Sequence, residues 1–331
     1  MATTPQTNTT LEAIAETLVR YSTFAIAGHV GPDGDCIGSQ LALAHALRSL
    51  GKQVVCTLAA DEPLDAGLAS IPGAQDLVFA GNVEEAPQVF VAVDVPNPGR
   101  MKDYQWALHE KAQVTVTIDH HADPNCMAQL NYVDPASAST TMMVWRVAQL
   151  MGAATPAVAQ CAYTGLLTDS GRFCNQNADV QAFQAAASMV EAGADPSAAA
   201  QAMYQSKSRA SLALQGAVVD HMSFAADGAF VCSWLSLADF ERCGAVKADA
   251  DGMVDLLRSV EGVRVACMLR ETADGVRGSL RAKDSTDVAA YARTHGGGGH
   301  TAAAGFSLEG TAEDAARQVT AEWVALLGGD E

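Results

Sequence analysis

The chain has 331 residues, 49% hydrophobic and 18% charged, the make-up of a folded globular protein with room for two separate cores. Its 38 Asp and Glu against 20 Lys and Arg leave a formal charge of −18, which excludes a surface built to wrap long nucleic acid by displacing counterions. A nucleic-acid substrate agrees with that charge only if it is small and its phosphates are met locally.

Residues 1–10 are polar and Thr-rich, without the basic and apolar regions of a signal peptide. No apolar run approaches the roughly 20 residues of a bilayer span, so a cytoplasmic protein with no membrane attachment is expected. Leu11, Ile14 and Leu18 have helical spacing and predict a helix over 11–21. An apolar strand over 24–29 then ends in the turn Gly31-Pro32-Asp33-Gly34, and an Ala/Leu-rich helix over 36–50 is stopped by Gly51. Strands over 53–58, 89–94 and 114–119 and helices over 140–151, 156–167 and 179–192 complete a mostly parallel α/β unit. An Ala/Ser/Gln-rich helix over 195–204 reads as a connector. Beyond it, strands over 228–235, 263–270 and 275–281 and helices over 237–243, 252–260, 288–294 and 312–327 predict a smaller α+β unit. The eight cysteines form no CxxC pair, and Cys56, Cys161 and Cys267 sit in apolar stretches as expected of buried thiols.

Chemistry concentrates at element ends, where open α/β sheets bind ligands. The first strand is followed by His29-Val30-Gly31-Pro32-Asp33-Gly34-Asp35, the third ends at Asp94, and the fourth at Asp119-His120-His121. Asp169 closes the run Thr164–Thr168. A lone Asp after a strand is usually a cap or turn former, but several ends all delivering Asp or His to one edge point to metal ligation. Carboxylates with imidazoles suit Mn²⁺ or a similar ion, and two such ions sharing a carboxylate can neutralise charge on a phosphoryl group. In the second unit, Gly296–Gly299 with His300 could close backbone N–H groups on a phosphate, and Arg281 on the preceding strand could bind one bidentately.

These residues, in this order over roughly 12–325, resemble the DHH/DHHA1 phosphoesterase superfamily and within it the NrnA-like oligoribonuclease and pAp phosphatase group, pAp being 3′-phosphoadenosine-5′-phosphate. His29-x-x-x-Asp33-x-Asp35 is similar to the first motif, Asp94 to the second, Asp119-His120-His121 to the triplet that names the family, and Thr168-Asp169-Ser170-Gly171 to the fourth. Gly296–His300 resembles the DHHA1 signature. The resemblance implies a DHH catalytic domain over 12–194, a helical connector over 195–215 and a DHHA1 substrate-binding domain over 216–331. It implies one metal on His29, Asp33 and Asp94, and a second on Asp35, Asp94, His120 and Asp169. Asp119 would orient His120, and His121 would contact the scissile phosphate or protonate the leaving oxygen. Arg281, Gly297, Gly298, Gly299 and His300 would hold the substrate's terminal phosphate. One departure stands out: relatives often carry a basic residue just after the Phe of the fourth motif, where Phe173 here is followed by Cys174 and preceded by Arg172.

The resemblance implies a two-metal, manganese-dependent hydrolase that cuts short oligoribonucleotides to 5′-mononucleotides and converts pAp to AMP, with a homodimer common among relatives. The alternative is a phosphodiesterase for cyclic di-AMP or its linear product pApA. A long single-strand exonuclease would want a basic groove with stacking aromatics, and aromatics are only 6% of this chain. A non-catalytic nucleotide sensor would show lost ligands, and every expected ligand is present.

Overall fold

The computed structural model describes residues 6–95, 97–121 and 127–328, so Met1–Pro5 of the polar tail lie outside the described residues. By internal contacts the chain divides between Ser206 and Lys207 into two compact units.

In the first unit, β1 (Thr23–Ala27), β2 (Gln53–Leu58), β3 (Leu77–Phe79), β4 (Val89–Val93), β5 (Val114–Asp119) and β6 (Leu130–Val133) form one parallel sheet in the order β3-β2-β1-β4-β5-β6. Chain order reverses between β1 and β4, and a topological switch of this kind opens a crevice at the carboxyl ends of the strands. His29 follows β1 and Asp94 follows β4, so the topology delivers both to that crevice. Successive residues alternate between two cores. Phe24 and Ile26 on β1, and Val89, Val91 and Val93 on β4, face the larger one. Ala25 and Ala27, with Phe90 and Ala92, face the smaller one beneath helix α4 (Asp103–Lys111).

The larger core is covered by α1 (Leu11–Arg20), α2 (Gly34–Ser49), α5 (Thr140–Leu150), α6 (Pro156–Asp169), α7 (Val180–Glu191) and α8 (Pro196–Tyr204), while α3 (Ala66–Ala69) is a single turn beside α8. Side-chain oxygens cap these helices: Asp33 accepts from Asp35 N and Cys36 N at the start of α2, and Ser139 accepts from Met142 N at the start of α5. Helix α2 is buried over most of its length and packs closely on α6.

The second unit is a mixed sheet in the order β11-β12-β10-β9-β8-β7, built from β7 (Ser223–Ala225), β8 (Phe230–Leu235), β9 (Val265–Thr272), β10 (Gly275–Ala282), β11 (Gly298–His300) and β12 (Ala303–Leu308). Only the β8–β9 pair among these is parallel. Helices α12 (Val288–Thr294) and α13 (Ala312–Leu327) cover one face around Trp323 and Phe230. Helices α9 (Arg209–Asp220) and α11 (Met253–Arg258) cover the other, with α10 (Leu237–Cys243) against α9. The two-part α/β architecture expected from the sequence is present. It also contains β3, β6, β7, β11, β12, α4 and α9, which local patterning leaves unread.

The contact of α2 with α6 depends on Gly38. A Cβ there would lie 2.7 Å from the Cys161 carbonyl oxygen and 3.2 Å from Gly165 N, both of them backbone atoms that cannot step aside. Gly38→Ala should therefore lower unfolding stability by about 1–3 kcal/mol through overpacking. Urea denaturation reads the change, and an unaltered midpoint would contradict this account of the helix pair.

Candidate metal centre

Three histidines and a group of aspartates meet at the carboxyl edge of the parallel sheet. His29 Nε2 lies 3.3 Å from Asp94 Oδ2 and 3.9 Å from Asp33 Oδ1. His120 Nε2 lies 3.6 Å from Asp94 Oδ1, 3.7 Å from Asp169 Oδ2 and 3.9 Å from Asp35 Oδ2. Asp94 thus stands between His29 and His120, one oxygen toward each. Three groups of donor atoms lie within 4.8 Å of one another: His29 with Cys36 and Asp94, Asp94 with His120 and His121, and Asp35 with His120 and Asp169. Asp33 is the outlier of the expected set, because it is exposed and its Oδ1 caps α2.

Asp94 reaches this position through a backbone with φ of 59°, a left-handed conformation that aspartate tolerates better than most residues. Its N–H donates to the Ile118 carbonyl at 3.0 Å, which ties the end of β4 to β5. Asp169 comes from the last residue of α6 rather than from a strand.

Asp119 has a different partner from the one the resemblance implied. Its Oδ1 accepts from His121, at 2.8 Å from Nδ1 and 3.2 Å from the backbone N. His120 instead turns Nδ1 toward the Ser137 carbonyl at 3.4 Å. The reason is local: the chain bends at His121, directly after β5, and folds that residue's backbone N–H and ring back onto the Asp119 carboxylate.

The structure adds residues that no short-range pattern announces. Both Asp35 oxygens accept backbone N–H groups from the first turn of α5, Thr140 N at 2.7 Å and Thr141 N at 2.9 Å. Thr140 Oγ1 donates to Asp94 Oδ1 at 3.1 Å. Their signal was the Ser139-Thr140-Thr141 run before a helix, readable as a cap and not as support for a site. Cys36 and Arg100, whose Nη2 is 3.0 Å from His29 Nδ1, complete the surroundings.

The charges of these groups are interdependent. Asp35 is pushed well above the usual carboxylate range, by burial first and then by the negative charges of Asp94 and Asp169. Burial alone would raise Asp94 too, but the His29 hydrogen bond and the charges of His120 and His29 outweigh it and hold Asp94 below its ordinary value. Burial opposes charge on His120, yet Asp35, Asp169 and Asp94 lift it to about 9. Asp169 rises to about 6, by burial, with His120 acting against the rise. Crowded carboxylates that suppress one another's ionisation, with imidazoles among them, are a donor set that divalent cations fit.

In the second unit, Arg281 lies on β10 opposite Ala303 of β12, and Ala303 in turn is opposite His300 of β11, so the three occupy one row across the sheet. Burial lowers the Arg281 pKa, with Asp255 opposing, and Nη1 donates to the Leu280 carbonyl at 3.0 Å. The glycine run is an edge strand rather than an open loop: Gly298–His300 pairs with β12. Gly297 allows that approach, since a Cβ would lie 2.1 Å from the Gly305 carbonyl oxygen.

A switch-point α/β sheet carrying carboxylates and imidazoles at its ligand edge defines a protein built to hold divalent cations beside a ligand crevice. Comparison with known proteins specifies it. The model of the DHH family N-terminal domain matches residues 23–166, and that of the DHHA1 domain matches 236–326. The bifunctional oligoribonuclease and PAP phosphatase NrnA of Thermus thermophilus is 33% identical over 302 residues, covering 90% of this chain and 88% of that protein. Its Bacillus subtilis namesake is 24% identical, covering 89% and 92%. The crystal structure of an exopolyphosphatase-related protein from Bacteroides fragilis has a TM-score of 0.89 at 26% identity, covering 96% and 97% of the two chains. A structure of exonuclease RecJ bound to manganese shares the fold at a TM-score of 0.54 and 12% identity, covering 99% and 95%. The chain belongs to the DHH/DHHA1 phosphoesterases, in their NrnA-type branch, and is a metal-dependent phosphoesterase.

With His120 protonated below about 9 in the cation-free protein, a cation must displace that proton to bind there. Divalent-cation affinity should therefore rise by up to about tenfold per pH unit between pH 7 and 8.5. Calorimetry of Mn²⁺ uptake in two buffers of different ionisation enthalpy measures the released proton, and an affinity flat across that range would refute the assignment of His120.

Proposed function

We propose that this enzyme removes 5′-mononucleotides from short oligoribonucleotides and dephosphorylates pAp to AMP, using two divalent cations, Mn²⁺ by preference. The observation that carries the reading is Asp94, whose two oxygens face His29 on one side and His120 on the other. A shared carboxylate with separate partners for each neighbour is what a two-cation phosphoesterase requires. His29, Asp33 and Asp94 would hold one cation, and Asp35, Asp94, His120 and Asp169 the other. When bound, the cations supply charge neutralisation at phosphorus and a more acidic water.

The protein's own groups then have distinct tasks. Thr140 holds Asp94 in place through its hydroxyl, and the N-terminus of α5 holds Asp35 with two backbone donors. Asp119 is 2% exposed and fixes the His121 ring through Nδ1, which prepares that imidazole to donate a proton to the leaving oxygen. Arg281 in the second unit is the anion-binding side chain for the substrate's terminal phosphate, with the backbone of Gly297, Gly298, Gly299 and His300 assisting it. A net charge of −18 supports small substrates over long strands, because little basic surface is left for a polynucleotide. The NrnA relatives named as oligoribonucleases and PAP phosphatases support the same substrate class.

The deciding experiment is product analysis with Mn²⁺ on pAp, pApA, a pentanucleotide, a 24-mer and cyclic di-AMP in parallel. AMP release from the short linear compounds, with the 24-mer and the cyclic dinucleotide intact, is the expected result. Preferential opening of cyclic di-AMP would replace this proposal with a cyclic-dinucleotide phosphodiesterase.

Asp94→Asn keeps a side chain that tolerates the left-handed backbone and can still accept from Thr140, so the variant should fold. It removes the charge shared by both cation positions, and turnover should fall by at least about a thousandfold. Turnover close to wild type in a folded variant at saturating Mn²⁺ would reject the bridging role.

A further inference from the structure

Arg100 stands beside the cluster and is fixed there by the same strand ends that deliver its ligands. It closes the short turn Pro98–Arg100 after β4, and its carbonyl accepts a hydrogen bond from Val30 N at 2.8 Å. The loop after β4 is thereby clipped to the loop after β1. The residue is exposed, yet Nη2 comes within 3.0 Å of His29 Nδ1. Among the described residues its guanidinium makes no ion pair, although Asp33 and Asp94 both flank that histidine. A guanidinium offers five donors and no acceptor, and here a single ring nitrogen takes one of them.

That nitrogen has a second suitor. His29 Nδ1 also lies 3.1 Å from the Val30 carbonyl oxygen. It can accept from Arg100 or donate to Val30, but one nitrogen cannot do both. If Nε2 is turned to a cation, Nδ1 carries the ring's hydrogen and its partner is the carbonyl, the usual arrangement of a metal-bound histidine. The Arg100 contact then becomes donor against donor. The guanidinium loses its partner as the site gains its cation, and remains charged, exposed and clipped in place.

We propose that Arg100 is an anion-binding residue of the catalytic unit: released from His29 when the cluster is loaded, it takes oxygens of the phosphate to be cleaved. The proposal rests on the two-cation reading above. Two parallel N–H groups of a guanidinium match two phosphate oxygens, which a single ring nitrogen does not. The same switch couples substrate affinity to loading, since in the cation-free protein the side chain is occupied on His29. A role confined to holding the His29 ring makes the opposite prediction, because losing Arg100 would then loosen cation binding.

The test uses the full chain, with Mn²⁺ and AMP as probes and calorimetry as the readout. Arg100→Ala should bind Mn²⁺ as tightly as wild type or a few-fold more tightly, while its affinity for AMP at saturating Mn²⁺ falls by about tenfold or more. Arg100→Lys should recover part of the AMP affinity and none of the bidentate geometry, which guards against a folding defect in the alanine variant. AMP affinity within twofold of wild type in Arg100→Ala overturns the proposal, and so does a tenfold loss of Mn²⁺ affinity. Wild-type protein that binds Mn²⁺ and AMP but cleaves none of the nucleotides would sink the function proposed above, and the anion-binding role of Arg100 would still be decided by the AMP affinities. Wild-type protein that takes up no Mn²⁺ would sink both.

Discussion

Asp94 is 1% exposed, and the catalytic unit is arranged so that its carboxylate keeps its charge. Burying a carboxylate without partners costs several kcal/mol or forces it to take up a proton. Here His29, His120 and His121 all face it, and the Thr140 hydroxyl donates to it. Those partners come from two loops and a helix start far apart in the chain. The parallel sheet brings them together because the switch between β1 and β4 leaves the Asp94 loop next to the His29 loop, with β5 alongside. The left-handed backbone at Asp94 costs on the order of 1–3 kcal/mol, and the hydrogen bond from its N–H to Ile118 is part of what holds it there.

Asp35 shows the other half of the same constraint. Both of its oxygens are occupied by the first N–H groups of α5, which an anion at a helix N-terminus satisfies well. Even so, burial and the neighbouring Asp94 and Asp169 push it up rather than down. Burial first, and repulsion from the neighbouring carboxylates second, thus outweigh what the nearby His120 imidazole returns. A protein that holds such a group at that level of burial is stabilised by binding cations, so folding and loading are thermodynamically linked. The helix pair α2 and α6 supplies the rigid wall, since the first carries Asp35 and the second ends at Asp169.

What the sequence discloses, and what it hides, follows from the range of the interactions. The strands that carry His29, Asp94 and Asp119 are apolar runs buried on both faces, and their pattern is strong over 24–29, 89–94 and 114–119. The short strands β3, β6 and β7 are three or four residues long, too brief for a period to register. Strand β12 begins Ala303-Ala304-Gly305 and has little β propensity; its pairing with β10 and with the glycine-rich β11 comes from register in the sheet. Helix α4 contains Gln105, buried and donating to the Gly28 and Thr57 carbonyls, so its inward face is not marked by apolar spacing. In the site the chemically distinctive residues are legible, while their supports are not. Thr140 and Thr141 meet Asp35 across more than a hundred residues, and Asp119 selects His121 by a geometry that only the bend after β5 decides.

The departure noted at the fourth motif has a structural sequel. After Asp169 the chain turns through Gly171, Arg172 and Phe173 with φ values of 57°, 62° and 59°. Two of these residues have side chains, so the turn needs support from its surroundings. Ser170 Oγ accepts from Phe173 N at 3.1 Å, and Arg172 N donates to the Leu167 carbonyl at 2.8 Å. Phe173 then stacks on Phe183 of α7 with ring centroids 5.1 Å apart. Arg172 lies over the Tyr204 ring at 4.9 Å. It is spent on closing the end of α8 over α6, since the Tyr204 hydroxyl also reaches the Leu167 carbonyl at 3.4 Å. The turn therefore fixes the direction in which Asp169 leaves α6, with Asn177 donating to its carbonyl at 3.3 Å. Arg172 serves that geometry in this conformation, whereas Arg100, in the turn after β4, lies beside His29 at the metal edge.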